Sequence, residues 1–124
     1  MRPFEERILA DLTRAFASEP IHFVGLGAFD FQLSCGGVKR LHAMNSVQFR
    51  LADQVYNWSD GPCDIPVWRL INQTVECVEL PSPHKLRLGL KSGDYVEVTS
   101  TLDPYEDVLI DFGTHDGAQI LDIY

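Results

Sequence analysis

The amino-acid sequence predicts an α+β protein in which an N-terminal amphipathic helix packs on a mostly antiparallel, curled sheet of about eight or nine short strands. Two observations indicate this fold. Apolar residues recur at helical spacing up to Phe16, and from Ile21 onwards they alternate with polar residues in segments separated by glycine-containing turns. A sheet split into two, or a small closed barrel with the helix as its plug, is compatible with the same pattern.

The N-terminal helix has a start signal, a stop signal and one apolar face. Pro3 suits the first helical turn, and Pro20 disfavours helical geometry at the residue before it. We expect the apolar face to be buried against the sheet, because an α+β domain needs such a layer. That face consists of Phe4, Ile8, Leu9, Leu12, Ala15 and Phe16.

The first half of the chain contains several segments in which apolar and polar residues alternate. The pair Gly36 and Gly37 provides a hairpin turn between two of them, and 25–27 is predicted to be a bend. The linker 56–71 is the least regular part of the sequence, and Pro66 is predicted to open a short helical turn within it. The predicted strands are 21–24, 29–35, 38–44 and 47–51.

The clearest hairpin lies in the second half and joins 85–90 to 95–100, where leucines and valines alternate with polar residues. Gly93 supplies the positive φ that its turn needs. The order of strand, glycine turn, strand, turn, strand thus occurs in both halves, which hints at two similar three-stranded meanders. Three further strands are predicted. One begins at Val75 and is ended by Pro81, Ser82 and Pro83, the second contains Val108, Ile110 and Phe112, and the third is 119–124.

Length and composition limit the class of protein. A chain of 124 residues with 45% apolar content is predicted to form one domain, 1–124, that buries its own core. No apolar run approaches the roughly 18 residues of a membrane helix, so we expect no membrane contact. The N-terminal residues lack the apolar core of a signal peptide, so we expect a cytoplasmic protein. Cys35, Cys63 and Cys77 are predicted to be free thiols, the first and last as buried apolar fillers and Cys63 exposed.

The negative charge is concentrated at one end of the chain. Residues 92–124 contain eight acids and no Lys or Arg, so they account for the whole net charge of −8. This concentration repels phosphate backbones and disfavours a nucleic-acid partner. Strand alternation predicts that Glu97, Asp107 and Asp111 face solvent on the same side of the sheet. The predicted acidic binding surface consists of Glu97, Asp103, Glu106, Asp107, Asp111 and Asp116.

The sequence carries no motif of a known catalytic or cofactor site. Gly25-Leu26-Gly27 lacks the third glycine and the following helix of a dinucleotide fingerprint, and the phosphate loop, the nucleophile elbow and the zinc-protease motif are absent. We therefore predict no catalytic residue, no cofactor and no metal ligand.

Part of the chain resembles a group of short uncharacterised bacterial β-rich proteins, some of which are suspected to be immunity-like. The resemblance covers roughly 66–110 and implies no activity and no catalytic residues. The residues that carry it are Val67-Trp68-Arg69-Leu70-Ile71 with Val75, then Leu86-Arg87-Leu88, Ser92-Gly93, Val96-Glu97-Val98 and Tyr105-Glu106.

Three functional hypotheses follow. The first is a non-enzymatic protein-binding domain, immunity- or antitoxin-like, whose acidic C-terminal surface captures a basic protein. The second is a small-molecule-binding protein or small enzyme, for which a pocket holding convergent polar groups would be the sign. The third is a homodimer paired through exposed strand edges. The pocket of the second hypothesis would lie under the 56–71 loop and be lined by Trp58, Asp60, Cys63, Trp68 and His84.

Overall fold

A computed structural model gives the positions of residues 9–27, 30–44, 46–59, 63–100, 108–115 and 118–123, with side chains up to Phe112; these are the described residues. The helix α1 spans Leu9–Ala17, and a short 3₁₀ helix spans Val67–Leu70. The strands are β1 (Phe23–Leu26), β2 (Phe31–Cys35), β3 (Val38–Ala43), β4 (Val47–Leu51), β5 (Gln54–Trp58), β6 (Val75–Ser82), β7 (Lys85–Leu90), β8 (Tyr95–Thr99), β9 (Val108–His115) and β10 (Ala118–Ile123).

The ten described strands form two five-stranded antiparallel sheets. Sheet A has the order β1-β2-β3-β9-β10, and sheet B has the order β5-β4-β8-β7-β6. The predicted α+β class and the antiparallel pairing are therefore confirmed, and the strands divide between two sheets. The mean strand length of about five or six residues is ordinary for such sheets.

The core lies between the two sheets and is built by alternation. Leu86, Leu88 and Leu90 of β7 are buried, while the residues between them are not. Phe31 of sheet A and Phe49 of sheet B, both fully buried, meet with their ring centroids 5.2 Å apart. The inner faces of both sheets thus contribute to a single apolar cluster.

The helix α1 bridges the two sheets at one side. Leu12 and Phe16 are buried as predicted, whereas Phe4 and Ile8 lie outside the described residues. The backbone amide of Val78 in β6 donates to Thr13 Oγ1 at 3.3 Å.

At the other side of α1, the Gly37 amide donates to the carbonyl of Ala15 at 3.1 Å. A Cβ atom at Gly37 would lie 2.5 Å from that carbonyl oxygen, so only glycine permits this approach. The helix therefore covers the edge strand of sheet B and the β2–β3 turn of sheet A together.

Several predicted boundaries were wrong. Gly25 and Leu26 belong to β1 instead of forming a bend, and β6 continues through Pro81 to Ser82 with a register shift after Glu79. A proline is accepted there because β6 is an edge strand of sheet B, where one row of amides has no partner strand. The strand β5 was not predicted at all.

The turn before β5 explains why that strand was missed. Ala52 and Asp53 have φ values of 51° and 70°, so two residues other than glycine adopt the left-handed geometry of a tight hairpin loop. Gly93, with φ 94°, has the positive φ predicted for it. Pro66 precedes the 3₁₀ helix, which confirms the predicted helical turn.

The two halves of the chain have the same element order. A helical element is followed by a three-stranded meander, β1-β2-β3 or β6-β7-β8, and then by a hairpin, β4-β5 or β9-β10. Each hairpin joins the sheet of the other half, because β4 pairs with β8 and β9 pairs with β3. Each helical element also contacts a strand of the other half, since α1 contacts β6 and the 3₁₀ helix contacts β1.

The strand registers match between the halves as well. Leu33 pairs with Leu41, which pairs with Ile110; in the other half Leu88 pairs with Val96, which pairs with Phe49. The molecule is thus a pseudo-twofold arrangement with exchanged hairpins. The predicted similarity of the halves has the correct strand order, but the third strand of each predicted meander lies in the opposite sheet.

Candidate ligand-binding cleft

A cleft of about 320 Å³ lies on the outer face of sheet B, at the end where β4 and β7 begin and β5 and β8 end. Most of the described lining residues are polar, and they include one lysine and one carboxylate. It is at the small end of the range for ligand pockets, so it suits a small molecule. The lining residues are Ser46, Val47, Gln48, Asn57, Trp58, Ser59, Lys85, Glu97 and Thr99.

Strand pairing places the polar lining in two rows across sheet B. In the first row, Gln48 pairs with Asn57 on one side and with Glu97 on the other. In the second row, Lys85 pairs with Thr99, whose amide donates to the carbonyl of Ser46 at 3.1 Å. Residues two apart along a strand share a face, so both rows lie on the outer face.

Glu97 is the most buried charged group of the cleft, at 4% exposure. Arg87 holds it by donating from Nε at 3.1 Å and from Nη2 at 2.9 Å, and both bonds go to the same oxygen, Oε1. The other oxygen, Oε2, has no hydrogen-bond donor among the described residues and is not sealed from solvent. The carboxylate is therefore fixed in orientation and has one oxygen available to a ligand.

The neighbours of Glu97 form a network that holds the cleft floor. The guanidinium of Arg87 lies 4.1 Å from the centre of the Tyr95 ring, and the Tyr95 hydroxyl donates to Gln48 Oε1 at 2.6 Å. Gln48 Nε2 in turn donates to Asn57 Oδ1 at 3.0 Å. Asn57 keeps its Nδ2 group as a donor, since its hydrogen bond within the described part of the chain uses only Oδ1.

Lys85 and Glu97 line the same cleft without forming an ion pair. Lys85 pairs with Thr99, two residues from Glu97, so the two charged residues are diagonal neighbours on one face, with a spacing of about 7 Å. The ion pair of Glu97 among the described residues is with Arg87. A positive and a negative group thus face one small space, each with bonding capacity left.

The structure describes two residues of the predicted acidic surface with their side chains, and both are buried instead of facing solvent. Glu97 points away from the core as predicted but is only 4% exposed. Asp111 is 8% exposed and lies in β9 of sheet A, paired with Arg40, so it does not share a sheet with Glu97. Asp103, Glu106, Asp107 and Asp116 lie outside the described residues.

Of the residues predicted to line a pocket under the 56–71 loop, Trp58 is among the described residues that line the cleft. Trp58, at 3% exposure, lines the cleft from the end of β5, whereas Trp68 and Cys63 are exposed and do not line it. His84 lies beside Lys85 in the chain but is not part of the lining, and its buried Nδ1 has no hydrogen-bond partner among the described residues. Asp60 lies outside those residues.

The sequence did not indicate most of the cleft. Ser46, Gln48, Asn57, Lys85 and Thr99 are ordinary polar residues at outward positions or strand ends. The cleft could have been predicted only from the rule that outward-facing residues of neighbouring strands share a surface. Applying that rule requires knowing that β4 pairs with β8, and these strands are far apart in the sequence.

The thiols follow the prediction in two of three cases. The three cysteines are free; Cys35 is buried and Cys63 is exposed. Burial raises the pKa of Cys35 to about 12. Cys77 is not a buried filler, because it is half-buried on sheet B and its Sγ donates to Glu79 Oε1 at 3.3 Å.

Within the described residues, no group of three or more His, Cys, Asp or Glu side chains is placed to hold a metal ion. The helices in that part of the chain are too short or too polar to cross a membrane.

Comparison of the chain with protein-family models, with curated proteins and with solved structures found no match. The geometry of the cleft and of the exposed surfaces is therefore the basis on which a function can be inferred.

Proposed function

We propose that the chain is a binding protein whose cleft on sheet B takes a small polar molecule. The observation that supports this most is Glu97, a carboxylate at 4% exposure with one oxygen held by Arg87 and the other open to the cleft. Burying a charged group is costly unless it is paired. A ligand that donates to Oε2 completes the bonding of a group that is already fixed in place.

The lining favours binding over nucleophilic catalysis. A nucleophile needs an adjacent base, usually a histidine that is itself oriented by a third group. The described lining residues include neither histidine nor cysteine, and in that part of the chain the hydroxyls of Ser46, Ser59 and Thr99 have no hydrogen-bonded base. We therefore propose a non-enzymatic function.

A screen of small polar molecules by ligand-observed NMR tests the proposal. We expect a molecule that binds the wild-type chain to lose affinity by about tenfold or more in Glu97→Gln, because a charge-assisted hydrogen bond is replaced by a neutral one. Glu79→Gln is the matched control, since Glu79 is exposed on β6 and does not line the cleft. If every ligand found binds both variants equally, the cleft is not the binding site.

A second candidate is a protein-binding function, which a different surface supports. Trp68 is 70% exposed, and with Arg69, Ile71 and Asn72 it lines a shallow depression of about 370 Å³. The segment is anchored, because Leu70 is buried and the Asn72 amide donates to the carbonyl of Ile21 at 2.8 Å. Tryptophan and arginine are enriched among interface hot spots.

This second candidate keeps the proposed protein partner but places the contact at the 3₁₀ helix. A basic partner for the acidic residues after 91 remains a proposal of its own. We expect Trp68→Ser to abolish capture of a specific partner, while Val55→Ser, which also changes an exposed apolar residue, leaves capture unchanged. Equal capture by both variants would exclude the 3₁₀ helix as the interface.

A further inference from the structure

We infer that the ligand of the cleft is a small zwitterion of the class of free amino acids, with its ammonium group at Glu97 and its anionic group at Lys85. This inference rests on the proposed binding function and specifies the ligand.

The charged groups of the cleft disfavour ligands that carry a single charge. A simple anion that reaches Lys85 also meets the open Oε2 of Glu97, which repels it. A simple cation that reaches Glu97 meets both Lys85 and the Arg87 guanidinium, 2.9 Å from Oε1. A molecule that carries both charges pairs with Glu97 and with Lys85 at once, so each repulsion is offset by an attraction that a singly charged molecule lacks, and such opposing penalties are how sites discriminate between ligands.

The ammonium end is determined by the orientation of Glu97. Arg87 occupies only Oε1, so Oε2 accepts a donor without any competition from the described residues. Because Glu97 is almost completely buried, a charge-assisted bond to it is stronger than one at the protein surface.

The anionic end is determined by the second row of the floor. Lys85 is exposed at one end of that row, and its cross-strand neighbour Thr99 adds a hydroxyl donor beside it, with Ser46 next along the row. These groups can all donate hydrogen bonds, which suits an anion such as a carboxylate.

The two ends are close enough for one small molecule to contact both. The backbones of diagonal neighbours on one face of a sheet lie about 7 Å apart, and the side chains of Lys85 and Glu97 line the same cleft. The cleft volume of about 320 Å³ leaves room for a small side chain but not for a long polymer.

Calorimetry with three matched probe sets tests the inference. The probes are the free amino acids, the single-charge analogues butylamine and butyrate, and glucose as an uncharged polar molecule. We expect at least one amino acid to bind, and to bind about tenfold or more tightly than either single-charge analogue. Its affinity should fall by a similar factor in Glu97→Gln and in Lys85→Met, and remain unchanged in the controls Glu79→Gln and Lys91→Met.

The two cleft variants differ in how much they threaten the fold, and failure of the zwitterion inference can be distinguished from failure of the proposed binding function. Lys85 is exposed, so Lys85→Met retains the fold and is sufficient to test the anionic end; a melting curve checks Glu97→Gln. Binding of glucose alone, or of one single-charge analogue as tightly as any amino acid, overturns the inference but leaves the binding function intact. If the broad screen and these probes together yield no ligand at the cleft, the proposed function itself fails.

Discussion

The ring of Phe31 in sheet A meets the ring of Phe49 in sheet B edge-on, with centroids 5.2 Å apart and planes at 76°. Neither side chain is exposed. Edge-on contact between aromatic rings is favoured electrostatically and adds to the burial of apolar area. This pair is therefore a direct contact between the two inner faces, and it lies between the meander of one half and the hairpin of the same half.

We predict that Phe49→Ala lowers the free energy of unfolding by about 3–5 kcal/mol, because it removes buried apolar area and leaves a cavity between the sheets. Phe49→Leu should cost less, since most of the volume is kept. Urea denaturation measures both. Val55→Ala is the control at an exposed position; a cost for Phe49→Ala no larger than that of the control would show that the two sheets do not pack there.

We predict that Ala52→Gly stabilises the protein by up to about 1 kcal/mol. The left-handed φ of 51° costs a residue with a Cβ atom about 1–2 kcal/mol, which exceeds the entropic cost of about 0.5–1 kcal/mol for glycine. The backbone amide that donates to Asp94 Oδ1 is retained. The same substitution at Ala10, exposed in α1, should destabilise instead. Thermal unfolding measures both effects: we expect the Tm of Ala52→Gly to be higher than that of the wild type and the Tm of Ala10→Gly to be lower.

The three thiols should react with iodoacetamide at very different rates near pH 8. Cys63 is exposed and should be modified first. Cys77 should be slower, because partial burial and the hydrogen bond to Glu79 raise its pKa. Cys35 should be last, since burial raises its pKa to about 12 and the thiolate is the reactive form. Peptide mass spectrometry against time gives the order, and early modification of Cys35 in the folded protein would contradict its placement.

Asp30 should contribute stability that depends on pH. The hydrogen bonds from Gln32 at 2.7 Å and His42 at 2.8 Å lower the pKa of Asp30 below its ordinary value of 3.8. A lowered pKa in the folded state gives stability that is present above 3.8 and is lost as the pH falls through the folded-state pKa. We therefore expect Asp30→Asn to be less stable than wild type at pH 6, with a difference that shrinks at pH values below 3.8.

Denaturant unfolding at several pH values measures this difference. Asp11→Asn is the control, because the Asp11 side chain is exposed and contacts Arg14 only at the surface. A stability difference between Asp30→Asn and wild type that stays constant down to strongly acidic pH would mean that ionisation of the Asp30 carboxyl does not stabilise the fold.

The features that the sequence predicted correctly depend on neighbours in the chain. The buried positions Leu12 and Phe16 follow from helical spacing, and the β7–β8 hairpin follows from alternation around Gly93. The strand β5 was missed for the same reason, because the turn before it uses Ala52 and Asp53, where no glycine marks the left-handed geometry.

The features that were not predictable depend on which strands pair. Alternation correctly indicates that Glu97 points away from the core, but it does not indicate that β8 and β9 belong to different sheets. The predicted surface shared by Glu97 and Asp111 fails for this reason. The cleft was unpredictable for the same reason, since Gln48 meets Glu97 only through the pairing of β4 with β8.

The exchange of hairpins between the halves has a consequence for biosynthesis. When residues 1–59 have left the ribosome and the later residues have not, β3 and β4 each lack the strand that later covers one edge, because β9 and β8 have not yet been made. Neither sheet is completed from one half alone, and long-range pairing of this kind slows folding. A chain cut between 59 and 63 should accordingly give two fragments that remain unfolded apart and fold when they are mixed.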